Sequence, residues 1–230
     1  MSTDCFVVAI DGPAGAGKST VARRVADALE LGYLDTGALY RAVALAAIEG
    51  GTALDDAAAL AALAAGLDVE MPAGSRRIVL AGRDVSDETR TPQISQAASR
   101  VSALPGVRSA LVELQRSAAR PPGTVAEGRD MGTVIFPHAD LKVFLDANPD
   151  ERARRRAEEL RERTDAKRDG SGDLENVKRD MAERDRRDRT REVAPLEAAA
   201  DALVIDSTLM AIDEVVETIV KEAFLRRLPK

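Results

Sequence analysis

The eight residues Gly12-Pro13-Ala14-Gly15-Ala16-Gly17-Lys18-Ser19 constrain this chain more than any other stretch of it. They fit the pattern G-x-x-x-x-G-K-[ST], whose meaning depends on what stands on either side. Before it, Cys5 to Ile10 (CFVVAI) is a short apolar run rich in β-branched residues, which reads as a buried strand. After it, Lys18 to Leu29 places Val21, Val25 and Leu29 on one face of a helix. Strand, glycine loop and helix in that order form a cradle in which backbone N–H groups and a positive helix N-terminus surround phosphate oxygens. The segment Gly12 to Thr20 is therefore expected to bind a nucleoside triphosphate. Lys18 is expected to bridge the β- and γ-phosphates, and Ser19 to offer a hydroxyl to Mg²⁺, with Thr20 at the first turn of the helix.

The rest of the chain continues an α/β rhythm. Tyr33-Leu34, Gly123 to Ala126, Leu141 to Leu145 and Ala202 to Ile205 read as further core strands, each beside a helical stretch, which favours a parallel sheet with helices on both faces. Residues 42–65 hold twelve alanines in 24 positions and predict two tightly packed helices. Residues 67–85 break into short apolar runs at Pro72-Ala73-Gly74 and Ala81-Gly82, the pattern of a small inserted antiparallel sheet. From about Pro149 to Arg163 a helix is expected, then a loop containing Gly170-Ser171-Gly172, then a helix from Leu174 to about Arg191; together they read as a mobile flap.

With 33 lysines and arginines against 39 acids, the net charge of −6 excludes a generally basic nucleic-acid binder. The average hides an uneven distribution. Residues 151–191 carry 15 basic residues, 13 of them Arg, and 12 acids. A single cysteine, Cys5, and a single histidine, His138, leave no disulfide and no Cys/His zinc cluster, so any metal is a hard ion on oxygen ligands. Cys5 reads as a small buried hydrophobe, His138 as a loop residue, and Tyr40 either walls a nucleotide pocket or packs a helix. No apolar run reaches 18 residues and Met1-Ser2-Thr3-Asp4 lacks the start of a secretory signal, so a soluble cytoplasmic protein without membrane partners is expected.

What the triphosphate is for depends on the arginines outside the loop. Neither the guanine-reading N-K-x-D of a regulatory GTPase nor the paired acids of a motor occurs, which leaves transfer to a small molecule as the strongest class. The strings Asp35-Thr36-Gly37-Ala38-Leu39-Tyr40-Arg41, Glu127-Gly128-Arg129-Asp130-Met131-Gly132 and Arg184-Asp185-Arg186-Arg187-Asp188-Arg189-Thr190-Arg191 follow the phosphate loop in order. With it, they make the chain resemble bacterial cytidylate kinases over nearly its whole length.

That resemblance implies an adenylate-kinase-like P-loop core over 5–35, 104–150 and 192–228, a monophosphate-binding insertion over 36–103, and a lid with arginine-rich helices over 151–191. It also implies transfer of the γ-phosphoryl of ATP to CMP or dCMP with Mg²⁺, by a monomer. Carried over residue by residue, Thr36, Arg41 and Arg129 hold the α-phosphate region of CMP. Ser99, Arg108 and Asp130 read the cytosine edge, Arg184 and Asp188 meet the sugar, and Arg191 meets the phosphates.

Physical reasoning adds weight at some of these positions. Arg184, Asp188 and Arg191 stand at i, i+4 and i+7 and share one face if the segment is helical. Arg129-Asp130 follows an expected strand end, where open parallel sheets place ligands, and a carboxylate suits the exocyclic amino group of cytosine. Arg152 and Arg156, one turn apart, are expected to clamp the ATP phosphates or the transferred group, with Arg155 an equal candidate for the second position. Lys18, Arg129, Arg191, Arg152 and Arg156 form the expected catalytic set. A kinase for AMP, UMP or shikimate, and a non-catalytic nucleotide switch, remain the alternatives.

Overall fold

The computed structural model describes residues 5–72, 77–162 and 173–227. The chain opens with β1 (Phe6–Asp11), α1 (Lys18–Leu29), β2 (Gly32–Asp35), α2 (Thr36–Glu49) and α3 (Ala57–Ala65). Three two-residue strands follow, β3 (Val69–Glu70), β4 (Val79–Leu80) and β5 (Arg83–Asp84), then α4 (Pro92–Val101) and α5 (Pro105–Ser117). Next come β6 (Gly123–Gly128), a π-helical segment (Met131–Ile135), β7 (Leu141–Asp146) and α6 (Pro149–Glu162). The second arginine-rich helix is α7 (Leu174–Thr190), and the described chain ends with β8 (Leu203–Asp206) and α8 (Ile212–Arg227).

The large sheet is parallel, in the order β2-β6-β1-β7-β8. Alternation along β1 divides the core in two. Val8 and Ile10 join Val21 and Val25 of α1 and Val216 and Ile219 of α8 on one face. Val7 and Ala9 join Leu34, Ala126, Met131 and Phe136 on the other. Cys5, only partly buried, packs at the edge of the second cluster. His138 sits in the turn before β7.

Two strand boundaries differ from the apolar runs. β1 extends to Asp11 because that carboxylate accepts hydrogen bonds from the Met131 and Gly132 amides, 2.8 Å each, which satisfies a charged group at a buried strand end. β6 runs beyond Ala126 to Gly128, pairing with β1 throughout, so Arg129-Asp130 leaves the sheet immediately at its carboxyl edge.

The alanine-rich stretch forms α2 and α3, started by Asp35 and Asp56, whose side chains accept from Ala38 and Ala59 amides. Small side chains let these helices approach α4 and α5 closely, and their cluster takes in Val107 and Leu111 of α5, so the packing of the insertion continues past residue 103. The small sheet β3-β4-β5 is antiparallel as expected, while Ala73-Gly74 lies outside the described residues. Helices α6 and α7 carry their own cluster, Ala153, Ala157, Leu160, Val177 and Met181. The expected end of the first at Arg163 and the Gly170-Ser171-Gly172 tip lie outside the described residues. No helix among the described residues is long and apolar enough to cross a membrane.

Candidate active site

The phosphate loop leaves β1 with a backbone that only glycine permits. Gly12 has φ +148°, and a Cβ there would sit 1.9 Å from the Leu145 carbonyl oxygen of β7. At Gly15, φ +73°, a Cβ would meet the Arg152 carbonyl at 2.7 Å. α1 then begins from Gly17 in a left-handed conformation without a side-chain cap, which leaves its first amides for a ligand. Lys18 is buried and its ammonium donates to the Pro13 carbonyl at 2.7 Å, curling the loop around the amine.

A cleft of about 1670 Å³ opens at the carboxyl edge of the sheet between the loop, the insertion and α7. Pockets for a single small ligand run to roughly 300–1,000 Å³, so this cleft has room for two. Its walls bring together Ala14, Gly15, Gly17, Lys18, Ser19, Thr20, Thr36, Arg41, Ser99, Arg108, Arg129, Asp130, Arg156, Arg184, Asp188 and Arg191. Gly12, Pro13 and Ala16 stand behind the wall as the frame of the loop. The lining carries fourteen basic and eight acidic side chains, an excess of six positive charges in a chain whose net charge is −6.

Its carboxylates hold the arginines in place. Asp188, 3% exposed, accepts from Nε of Arg129 at 2.9 Å and lies 3.9 Å from both Arg184 and Arg191. Burial alone would raise its carboxyl; Arg129 and Arg184 outweigh that and hold it below the usual carboxylate range. Asp130 accepts from Arg108 at 2.5 Å and lies 3.5 Å from Arg191. Arg108 in turn stacks over Tyr40, so the tyrosine both packs α2 and walls the cleft. Asp35 caps α2 and accepts from Arg41 at 2.7 Å. Thr36 donates its hydroxyl to the Glu127 carbonyl at 2.7 Å, tying α2 to the end of β6.

So many cations in one buried space disfavour one another. Burial first, and then Arg129, push the Lys18 amine down to about 7. Burial and Arg129 push Arg184 down to about 10. Burial also lifts Asp11 to about 6, against the two amides that favour its charged form. Nε of Arg41, Arg108 and Arg184 and Nη2 of Arg191 are buried and find no hydrogen-bond partner among the described residues. Donors left in this condition are costly unless a ligand satisfies them.

Three expectations change. Arg191 does not share a helical face with Arg184 and Asp188: α7 ends at Thr190, and Arg191 is its C-cap in an extended conformation, φ −64° and ψ 145°. It reaches the cleft because the chain turns there, its Nε donating to the Ala194 carbonyl at 2.6 Å. Arg152 is not on the cleft wall. Its guanidinium donates to the Ala147 and Ala14 carbonyls and to Asp185 at 2.6 Å, which fastens α6 and α7 to the phosphate loop. Arg155 is held by Glu151 and Ser207, whereas Arg156 does face the cleft, paired with Glu159.

Two residues on the wall were not singled out from the sequence. Arg187 donates to the Ser99 hydroxyl at 2.6 Å, and its i+3 spacing from Arg184 was a usable signal. Glu127, beside Asp35 in the β2–β6 register, accepts from Tyr33 at 2.6 Å, and the Ser19 hydroxyl favours its charged form. Burial and Asp35 raise its carboxyl.

The same order of segments occurs across known proteins. The family model described as cytidylate kinase matches residues 8–224. A cytidylate kinase of Methylococcus capsulatus is 51% identical over 212 residues, covering 92% of this chain and 93% of that protein. One from Solibacter usitatus is 50% identical over 215 residues, covering 94% and 90%, and one from Aeromonas salmonicida is 48% identical over 219 residues, covering 94% and 93%. A phosphate loop, an arginine cleft held by Asp130 and Asp188, and a match running through all three distinctive strings lead to one assignment: the chain belongs to the cytidylate kinase family.

Proposed function

We propose that the chain transfers the γ-phosphoryl group of ATP directly to CMP or dCMP, releasing ADP and CDP or dCDP. The observation that carries this reading is the set of four buried arginine nitrogens that find no hydrogen-bond partner among the described residues, distributed around a cleft with room for a donor and an acceptor. Two anions cannot approach one another unless cations surround both, and this cleft supplies those cations before either arrives.

The amides of Gly15 to Thr20 and the ammonium of Lys18 hold the triphosphate. Thr36, Arg41 and Arg129 hold the acceptor phosphate. Arg184 and Asp188 meet the ribose, the carboxylate accepting from a hydroxyl while it orients Arg129. Ser99, Arg108 and Asp130 face the cytosine edge, where Asp130 accepts from the exocyclic amine. Arg191, between Asp130 and Asp188, and Arg156, on the α6 side, bear on the transferred group. The acceptor oxygen is already anionic near neutral pH, so positioning and charge neutralisation perform the catalysis without a strong general base.

The oxygen-only donors at the loop fit Mg²⁺. Ser19, with the Glu127 carboxylate beside it, would offer its hydroxyl, and Mg²⁺ would take most of its other ligands from water and phosphate oxygens. When bound, the ion would neutralise negative charge on the triphosphate.

ADP release measured with a panel of CMP, dCMP, UMP, AMP and shikimate tests the reading. CMP and dCMP are expected to support turnover far above the others, because a site that satisfies an amino group leaves its own polar atoms unpaired with uracil, a mismatch that can reach ~10⁴-fold. Comparable turnover of UMP and CMP below saturation contradicts the assignment of Asp130.

A further inference from the structure

We propose that Arg187 sets base selectivity by fixing which way the Ser99 hydroxyl can hydrogen-bond. The inference rests on the reading that a pyrimidine nucleotide occupies the acceptor end of the cleft. Arg187 lies on α7 and Ser99 on α4, 88 residues apart, and both line the same wall. Nη1 of Arg187 is 2.6 Å from Oγ of Ser99, while Nη2 donates to Glu183 at 3.0 Å, one helical turn back. Glu183 thus aims the guanidinium.

The polarity of this contact is forced. A guanidinium has donors only, so the Ser99 oxygen accepts from it. The hydroxyl proton then needs another acceptor, and among the described residues no hydrogen bond from Ser99 Oγ takes it up. Ser99 is 3% exposed, and at the cleft wall its group is left to act as a donor. On the Watson–Crick edge of cytosine, N3 is a bare acceptor; in uracil, N3 carries a proton. A serine free to rotate could accept from that proton and tolerate either base. With one lone pair held by Arg187, the Ser99 hydroxyl donates to N3 of cytosine; to accept from N3–H of uracil it must turn its proton away from the base, where no hydrogen bond among the described residues takes it up.

This adds a second filter beside Asp130. The carboxylate selects for the amino group at C4, and Ser99 selects for the unprotonated ring nitrogen next to it. Because Arg187 belongs to the arginine-rich helix and Ser99 to the insertion, the filter exists only where those two elements meet across the cleft. Arg187 is a positioning residue here, acting through Ser99.

The test is kcat/KM for CMP and for UMP on the full chain and on Arg187→Met, Arg187→Lys, Ser99→Ala and the Arg187→Met/Ser99→Ala double variant. The CMP:UMP ratio cancels any difference in the fraction of active protein, so partial misfolding does not obscure the result. Arg187→Met and Ser99→Ala are each expected to narrow the ratio by about tenfold, the loss of one hydrogen bond. The double variant is expected to narrow it no further than either single one. Arg187→Lys, which keeps a donor only, is expected to stay within about threefold of the parent. An unchanged ratio in Arg187→Met overturns the proposal. So does a loss of the same size in the Ser99→Ala background, which would mean that Arg187 meets the base itself. If the parent chain does not turn over CMP, the reading of the site fails; if it does and the ratio ignores Arg187, only this assignment fails.

Discussion

The phosphate loop and the acceptor wall face one another across a single cleft, yet they are made from different material. The loop is a main-chain device: glycines at Gly12, Gly15 and Gly17 take positive φ, and the uncapped start of α1 presents amides. The acceptor wall is a side-chain device, assembled from α2, α4, the end of β6 and α7, in which Asp35, Asp130 and Asp188 hold arginines by opposite charge. The first needs eight consecutive residues. The second needs segments up to about 150 positions apart to arrive together, because side-chain donors can be aimed only by neighbours from other elements. That difference predicts which substitutions break chemistry and which break structure.

The largest effects are expected of the cations that the proposed reading places on the transferred group. Lys18→Ala on the loop side and Arg191→Ala on the wall side are each expected to lower kcat on the order of 10³-fold or more, as removal of an arginine finger does. Steady-state turnover with CMP reads this, and near-normal kcat in either variant contradicts its role. Arg152→Ala sharpens the comparison from the structural side. It leaves Asp185 and two carbonyls without their donor, so it is expected to cost on the order of 3 kcal/mol of stability in a denaturant titration. Arg154→Ala, exposed with its Glu151 and Glu158 partners, is expected to leave kcat/KM within about twofold.

The smallest effect is a proton. Lys18, pushed down to about 7 by burial and Arg129, is largely neutral at pH 8.5 in the free enzyme. A bound triphosphate favours the ammonium and restores a higher pKa, so ATP binding at that pH is expected to take up close to one proton. The uptake fades below pH 6, where free Lys18 is already charged, and above the ordinary lysine value of 10.5. Calorimetry in two buffers of different ionisation enthalpy measures it, and proton release would reverse the sign of the argument.

The same contrast explains how much was legible beforehand. The loop, α1, the alanine-rich helix pair and the small sheet follow from local pattern, and each is present where described. The place of Arg129-Asp130 at the sheet's carboxyl edge follows from a motif at an expected strand end, whereas the contact of Arg129 with Asp188 does not. What spacing could not reveal depended on tertiary neighbours. Arg152 and Arg156 look equivalent along a helix, but the Ala14 carbonyl and Asp185 claim only the first. Arg191 reads as a continuation of α7 until the chain turns at Thr190. Glu127 and Arg187 were in plain view within their strings; their roles come from Ser19 and Ser99, contributed by other elements.

The arginine-rich segment 151–191 therefore contains several kinds of arginine. Arg152 and Arg155 fasten α6 to the core, Arg154 and Arg186 pair with acids in solvent, and Arg156, Arg184, Arg187 and Arg191 face the cleft. Interleaved acids satisfy the first groups and leave the last in excess, which is how an acidic protein presents a cationic site.

The central claim is direct transfer between two nucleotides held at once. ATP labelled at the γ-phosphate, incubated with CMP, Mg²⁺ and the chain, tests it in one measurement. The account predicts CDP labelled in its β-phosphate, formed in equal amount to ADP and absent when CMP is omitted. ADP formed without labelled CDP would contradict it.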